Sequence, residues 1–580
     1  MKNILIICLS VFLCGCAPKT AEKNCSTFVE SSDPNADTAV WMSNGFKVSF
    51  GSTDIRYAKY KEPGIKIEKT QKLHAWKGER ISAQIVVWTS SPLRQIECET
   101  AELKSADAVI PAGAVRARFV RYTLTDEFGK NGCSRRKAGD HPVFLMGDML
   151  DNIECIDMEA KSVRPVWITI DVPESANAGI YRGDIKVYAL GKRTETLKIE
   201  LEVASKTLPP ASQWKYHLDL WQHPSAVARA QNLKLWSDEH FDALRPLMKM
   251  LAGAGQKVIT ATLNKDPWNH QCYDAYEDMI VWTKNEDGSW TYDYTVFDRW
   301  INLGLSLGIK NMINCYSMAP WNNELHYKDA KSGNMITVKA DPGTKEFTEM
   351  WSPFLKDFVQ HLDKNKWLGI TNIAMDERPP AVMDEILGLL QKVAPELGVA
   401  LADNHKSYKK YSYIKDLCVD INSVPDSADL AYRKANGLNT TYYVCCAHRF
   451  PNMFTFSDPA ESVYAGWYAK ANGFDGFLRW AYNSWVENPV MDSRFRTFAS
   501  GDTFIVYPEA RSSIRFERLI EGIQDYEKIS ILINGLKQQK TPEADKKLKS
   551  ILTTLEQFKT SVKPDNLESM IEDAKKIFRE

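Results

Sequence analysis

Thr371-Asn372-Ile373-Ala374-Met375-Asp376-Glu377-Arg378-Pro379-Pro380 is an apolar strand that runs into two acids and is stopped by a proline pair. Its first five residues are uncharged, as suits a strand covered on both faces. Pro379 and Pro380 cannot extend a ladder, and residues 381–392 carry the apolar spacing of a helix. Read outward, the same rhythm of strand, loop and helix recurs. Towards the N-terminus lie WKYHLDLW (214–221), KVITATLN (257–264) and NMINCYS (311–317). Towards the C-terminus lie VALADN (399–404), LCVDINSV (417–424), TTYYVCC (440–446) and GFDGFLRWAY (473–482). Helical stretches at 238–252 and 344–364 fall between such strands. Eight strands alternating with helices predict a (β/α)8 TIM-like barrel over 211–511. Chemistry in that fold sits at the C-terminal strand ends, which puts Asp376 and Glu377 on the functional face.

Upstream, Leu208-Pro209-Pro210 breaks the chain. Before it come FKVSF, ISAQIVVWTS, ARFVRYTLT, VRPVWITIDVP, GIYRGDIKVYAL and TLKIELEVAS, short alternating runs divided by Gly, Pro and Asp. They predict an N-terminal β-sandwich over 41–207. Residues 512–580 read as charged amphipathic C-terminal helices packed on the barrel. Residues 1–16, MKNILIICLSVFLCGC, join a positive start to an apolar run too short to span a bilayer. This is the form of a bacterial lipoprotein signal peptide, with Cys16 as the lipidated residue and a membrane as partner through its acyl chains. The expected location is periplasmic or cell-surface, and the lack of Asp after Cys16 favours an outer membrane. Residues 17–40 are small and polar and read as a tether. No disulfide pairing can be assigned from the remaining cysteines.

The acid pair sets the expected chemistry. A usual retaining glycosidase holds two carboxyls about 5–5.5 Å apart across the scissile bond. Two neighbours on one strand end are poorly placed to flank a sugar. They suit substrate-assisted hydrolysis of a 2-acetamido sugar, in which the amide oxygen attacks C1. Glu377, the longer side chain, is then the general acid/base, and Asp376 orients the acetamido N–H. Polar and aromatic residues at other strand ends are the candidates for substrate binding. These are His217, Asp219 and Trp221 after the first strand, and Asn314, Tyr316 and Trp321 after the third. Asp403 with Asn404 follows the fifth strand, and Trp480, Tyr482 and Trp485 the eighth. Asp, Asn and His hydrogen-bond hydroxyls, and indole faces stack on pyranose C–H faces. Strand alternation lets only one of Tyr442 and Tyr443 face inward, and Tyr442 is the expected one.

Composition excludes other classes. The 580 residues carry 73 Lys+Arg against 74 Asp+Glu, a net charge of −1, which removes the case for nucleic acid. There is no P-loop, dinucleotide fingerprint or H-E-x-x-H. His223 and His405 are scattered near acids without metal spacing, so neither metal nor cofactor is expected. The 17 Trp, 23 Tyr and 23 Phe suit a site for a flat-faced sugar as well as a core. Trp41, Trp88 and Trp167 in the β-domain read as packing.

The lipoprotein start, the NIAMDE strand end and the tail GDTFIVYPEARSSIRFERLIEGIQDYEKI (501–529) resemble glycoside hydrolase family 123. Within that tail, Gly501-Asp502, Tyr507-Pro508, Ser513, Arg515, Glu517, Gly522 and Asp525-Tyr526-Glu527 carry the likeness. Ile520 departs from it, where the family tends to have Arg. The resemblance implies an exo-acting, retaining β-N-acetylgalactosaminidase working by substrate-assisted catalysis, with Asp376 and Glu377 as its acid pair. It implies terminal β-linked N-acetylgalactosamine on glycans such as glycosphingolipids as substrate. Arg515, Glu517 and Asp525 are expected to tie the last helices to the barrel. The alternatives are another β-N-acetylhexosaminidase or chain-internal glycosidase, and a non-catalytic surface glycan-binding lipoprotein.

Overall fold

The computed structural model describes residues 25, 29–36, 41–128, 141–496 and 498–579. The expected signal peptide and Cys16 lie outside the described residues.

The alternating runs of the N-terminal part fold as two facing sheets. One has the strand order Phe46–Gly51, Arg80–Thr89, Ser162–Asp171, Val115–Thr125, Phe144–Asp151. The other runs Thr70–Lys77, Glu195–Thr207, Gly179–Tyr188, Leu93–Thr100, Cys155–Met158. Alternate residues, such as Val48, Ile85, Val87 and Ile168 from one sheet and Leu197, Ile199 and Leu201 from the other, fill the space between them. Residues that read as a tether are pinned to this domain. Cys25 is disulfide-bonded to Cys155. Glu30 is buried between Arg164, at 2.7 Å, and Lys59, at 3.1 Å. Burial alone would raise its pKa, but the Arg164 and Lys59 charges outweigh it and hold the carboxyl at about 2. A polar stretch reads as solvated when partners such as Cys155 and Arg164 lie more than a hundred residues away.

The second domain is a nearly closed parallel barrel. Its strands, first to eighth, are His217–Leu220, Val258–Thr262, Met312–Tyr316, Thr371–Asp376, Gly398–Asp403, Asp416–Asp420, Asn439–Tyr443 and Gly476–Arg479. From the second to the eighth, consecutive strands pair, and the eighth returns to pair with the first. Between the first and second strands the contact thins to one bridge, Leu218 to Gln256, with Lys257 N–H donating to the Leu218 carbonyl at 2.9 Å. Helices Asp238–Gly253, Thr295–Ser306, Lys345–Lys364, Pro380–Val393, Ser427–Ala435 and Pro459–Ala471 cover the outside. The loops after the second and third strands build a four-stranded sheet beside the C-terminal face, in the order Trp290–Asp293, Val281–Lys284, Glu324–Asp329, Met335–Lys339.

The tail differs from the expected appendage. Helix Ile514–Gln539 packs along Pro459–Ala471 and reaches the start of the first strand. There Glu527 accepts the N–H groups of Lys215 and Tyr216, at 2.7 and 2.6 Å. It is therefore the barrel helix that follows the eighth strand. It is buried all round over Ile514–Ile520 because its other side meets the β-sandwich. Arg515 pairs with Asp148 at 2.8 Å and Glu517 with Arg118 at 2.9 Å, both partners lying in the sandwich. Asp525 accepts from the Trp467 indole at 3.0 Å. Of the three expected ties to the barrel, Asp525 holds the barrel helix, Arg515 binds both domains because it also donates to the Met453, Gly501 and Phe504 carbonyls at 2.8, 3.0 and 2.7 Å, and Glu517 joins the sandwich.

Candidate active site

Strand alternation stacks the inward side chains of the barrel in layers about 7 Å apart, two residues per step. The lowest layer is polar and closed on itself. His217 meets Asp416 at 3.2 Å, Asn314 donates to Asp416 at 2.9 Å, and Asn372 donates to Asn314 at 2.8 Å. Asp219 sits one step higher, where burial and the Asp416 charge push it up to about 7. Above it the strands supply small residues, Ala374, Ala400, Ala402 and Cys418, and the room they leave is taken by Trp221, Trp268 and Tyr316. The rings of Trp221 and Trp268 lie 4.8 Å apart, those of Trp221 and Tyr316 4.8 Å, and those of Trp268 and Tyr316 5.0 Å. This aromatic layer forms the floor of the C-terminal face.

Asp376 and Glu377 stand on that floor at the end of the fourth strand. The ladder holds as far as Asp376, which pairs with Ala402. Glu377 then turns into the left-handed region, with φ of 48°. A non-glycine residue there costs about 1–2 kcal/mol, and its N–H is fixed by the Ala402 carbonyl at 2.9 Å. The turn takes Glu377 out of the strand's alternation, so two neighbours share one face. Trp268 donates its indole N–H to Asp376 Oδ2 at 2.9 Å. Tyr443 donates its hydroxyl to Glu377 Oε1. Burial first, and then the neighbouring Glu377 charge, push Asp376 up to about 8.

A cavity of about 210 Å³ opens above the pair. Trp221, Tyr443, Leu478, Trp480 and Phe498 supply its apolar wall, with Gln271, Cys445 and Asp502 among the polar lining and Trp321 at the mouth. Binding clefts for drug-sized ligands are usually about 300–1,000 Å³, so this one admits a single small ring. Asp502 is fully buried, paired with Arg479 at 3.2 Å and accepting from the Trp480 indole at 3.3 Å.

The structure separates the residues picked from the sequence. Asp376, Glu377, Trp221, Trp321 and Trp480 border the cavity, and Tyr316 lies in its floor. His217, Asp219 and Asn314 are inward but too low, within the closed polar layers. Asp403 is turned to its own loop, accepting from His405 N–H at 2.9 Å and Ser407 Oγ at 3.0 Å. Tyr442 faces outward to helix Pro459–Ala471, donating to the Ala465 carbonyl at 2.9 Å; Tyr443 is the inward one. Trp485 and Tyr482 are core, bonded to the carbonyls of Val506 at 2.7 Å and Leu247 at 3.1 Å. His223 stacks on Tyr276 and directs its ring nitrogens to Ser484 and the Ala275 carbonyl, at 3.0 and 3.1 Å.

Sequence reasoning missed Trp268, Gln271 and Asp502. The first two come from the long loop after the second strand, outside any strand end. Asp502 belongs to the tail motif, which read as purely structural.

Comparison with known proteins places this geometry. A family model described as glycoside hydrolase 123, catalytic domain, matches residues 221–532, and one for the glycoside hydrolase 123 N-terminal domain matches residues 50–189. Among solved structures, a family 123 glycoside hydrolase from Clostridium perfringens, described for glycolipid glycan hydrolysis, superposes with a TM-score of 0.83. It is 28% identical, with 92% of this chain and 97% of that one covered. A maltogenic α-amylase from Thermotoga neapolitana gives a TM-score of 0.33 at 10% identity, covering 54% of this chain and 77% of its own. No curated protein matches the chain.

Proposed function

Because the chain belongs to glycoside hydrolase family 123, we propose that it is an exo-acting, retaining β-N-acetylgalactosaminidase. Its substrates would be glycans, glycosphingolipids among them, with terminal β-linked N-acetylgalactosamine, and its intermediate an oxazoline. The observation that carries this reading is the placement of both carboxyls on one strand end over a one-ring cavity. The remaining cavity carboxyl, Asp502, is held by Arg479, so among the described lining residues no free carboxylate stands ready as a nucleophile from another side. The substrate's own acetamido oxygen fills that role.

The steps follow from the two carboxyls. Below about pH 8 Asp376 holds a proton before substrate binds. An acetamido N–H donating to Asp376 favours its ionised form and leaves the proton to Glu377. Glu377 gives it to the glycosidic oxygen as the C1–O bond breaks and the acetamido oxygen bonds to C1. Ionised Asp376 stabilises the positive charge that develops on the amide. Water then attacks C1, Glu377 takes its proton, and the ring C1–O bond of the oxazoline opens. Two inversions at C1 give net retention. Tyr443 steadies the ionised Glu377 between the two steps, and Trp268 fixes Asp376 below the acetamido group.

The test is a side-by-side assay of aryl β-N-acetylgalactosaminide and β-N-acetylglucosaminide with wild type and Glu377→Gln. We expect preference for the galacto epimer and a loss of about 10²–10⁴ in kcat for the variant. Equal or better cleavage of the gluco epimer would overturn the specificity. A stable glycosyl ester on either carboxyl would overturn the mechanism.

The pattern of residues 1–16 supports export and anchoring to a membrane through acyl chains on Cys16. Fatty-acid incorporation that persists in Cys16→Ser would remove that part of the proposal.

A further inference from the structure

Two of the indoles around the site have a carboxyl on the ring N–H. Trp268 donates to Asp376 at 2.9 Å, and Trp480 to Asp502 at 3.3 Å. Trp221, in the cavity wall, is the third. Its backbone is fixed, with its N–H donating to the Arg479 carbonyl at 3.2 Å and its carbonyl accepting from Tyr482 at 2.9 Å. Its indole N–H is buried and makes no hydrogen bond. Buried donors in folded proteins nearly always have an acceptor.

An acceptor with the same fault lies one step below. Asp219 stands two residues before Trp221, so both side chains point into the barrel. It is fully buried, and its Oδ2 also has no partner. Gln256 Nε2 lies 3.5 Å from Oδ1 but is committed to the Val258 carbonyl at 2.8 Å. The charged groups beneath, His217 and Asp416, pair with each other at 3.2 Å. Tyr316 of the third strand and Cys418 of the sixth also feel the Asp219 charge, and Asp376 acts on both from above. Hydrogen bonding that favours ionised Asp219 comes from the Trp221 indole and from Gln256. A buried donor and a buried acceptor, each without another full bond, thus face one another under the cavity wall.

We propose that Asp219 is a positioning residue, whose carboxyl takes the Trp221 indole N–H and sets the tilt of the ring that walls the cavity. It touches no substrate and acts from the layer below. Trp221 packs on Trp268 at 4.8 Å, so the same contact steadies the floor under the acid pair. Ionisation makes a carboxyl the stronger acceptor. Asp219 ionises as pH rises through about 7, so the ring is held more firmly above that pH. The effect on sugar binding rests on the hexosaminidase reading above; the contact itself does not.

The first measurement therefore needs no substrate. Asp376→Asn silences the carboxyl on Trp268, and in that background tryptophan emission should shift as pH passes about 7. The shift should vanish when either Asp219→Asn or Trp221→Phe is added. No shift, or one that survives both changes, would overturn the contact. The second is a double-mutant cycle on an aryl β-N-acetylgalactosaminide, above about pH 7. Asp219→Leu should raise KM about fivefold, with kcat unchanged to within about twofold. In the Trp221→Phe background, where the ring remains but the N–H is gone, it should add less than about twofold. Asp219→Asn keeps an acceptor oxygen and should bring KM back to within about twofold of wild type. An undiminished effect of Asp219→Leu in the Trp221→Phe background, or a loss carried by kcat alone, would overturn the positioning role. If only the gluco epimer is cleaved, the cycle is read on it. Cleavage of neither epimer would overturn the hexosaminidase reading, and the emission shift then decides the contact by itself.

Discussion

At the scale of single residues, Asp376 and Glu377 share one cavity because Glu377 leaves the strand's alternation. A regular strand would have sent Asp376 and Glu377 to opposite faces. The left-handed turn at Glu377 brings both to the cavity, at a local cost met by the rigid frame around it. The raised pKa of Asp376 has a consequence for stability. A free aspartate titrates near about 3.9, and Asp376 in the folded chain near about 8. The native state therefore holds this proton more tightly than the unfolded chain does. The resulting stability is complete below about pH 4 and is lost as pH rises through about 8. Asp376→Asn removes the titration while keeping the shape. Solvent reaches the carboxyl through the cavity, so the gain is modest: the variant should exceed wild type by about 1–3 kcal/mol at pH 9 and match it near pH 4. Urea midpoints at the two pH values measure it. A difference that does not change with pH would mean that Asp376 ionises in the folded chain without cost.

At the scale of elements, the packing of Pro459–Ala471 against Ile514–Gln539 depends on two glycines. A Cβ on Gly466 would lie 2.0 Å from the Gly522 carbonyl oxygen, and one on Gly522 2.5 Å from that of Val463. The obstacle in both cases is backbone, which cannot rotate away as a side chain can. Gly522→Ala must push the helices apart and loosen the contacts on either side. We expect a loss of about 3 kcal/mol, read as a lower thermal midpoint. An unchanged midpoint would show that the two helices are less closely held than their crossing suggests. Gly522 stood out in the sequence as part of the tail motif, but nothing local revealed that its partner is another glycine more than fifty residues earlier.

At the scale of the whole molecule, one buried cluster joins the two domains. Asp148 of the sandwich meets Arg515 of helix Ile514–Gln539 at 2.8 Å, Arg56 at 3.1 Å and the Tyr507 hydroxyl at 2.8 Å. Glu79 with Lys528, at 2.6 Å, and Arg118 with Glu517, at 2.9 Å, flank it. Asp148→Ala would leave two guanidinium groups buried without their carboxylate. That removal costs about 3–5 kcal/mol, although Asp148 lies outside the cavity lining. Unfolding should remain a single transition, with activity and β-sheet signal lost together. A barrel transition that keeps its wild-type midpoint would show that the domains are only neighbours. The sandwich thus braces the barrel through the helix that completes it.

The sequence alone determined the eight barrel strands, the two-domain order and the acid pair. Those features are written in local patterns: apolar runs of strand length, helical spacing between them, and Pro379-Pro380 stopping a strand at its acids. The same patterns put Trp221, Trp321 and Trp480 near the site, since strand ends converge in a barrel. Tertiary structure decided the rest. Periodicity tells that one of Tyr442 and Tyr443 faces inward, but the choice depends on register against the neighbouring strands, and Tyr443 took the inward place. His217, Asp219 and Asn314 have inward parity like Trp221, yet depth along the barrel axis separates a closed polar layer from the cavity. Trp268 reaches Asp376 from a loop more than a hundred residues away, and Glu30 finds Arg164 across a similar distance. Such pairings depend on where the chain is brought in space, which no short window of residues encodes.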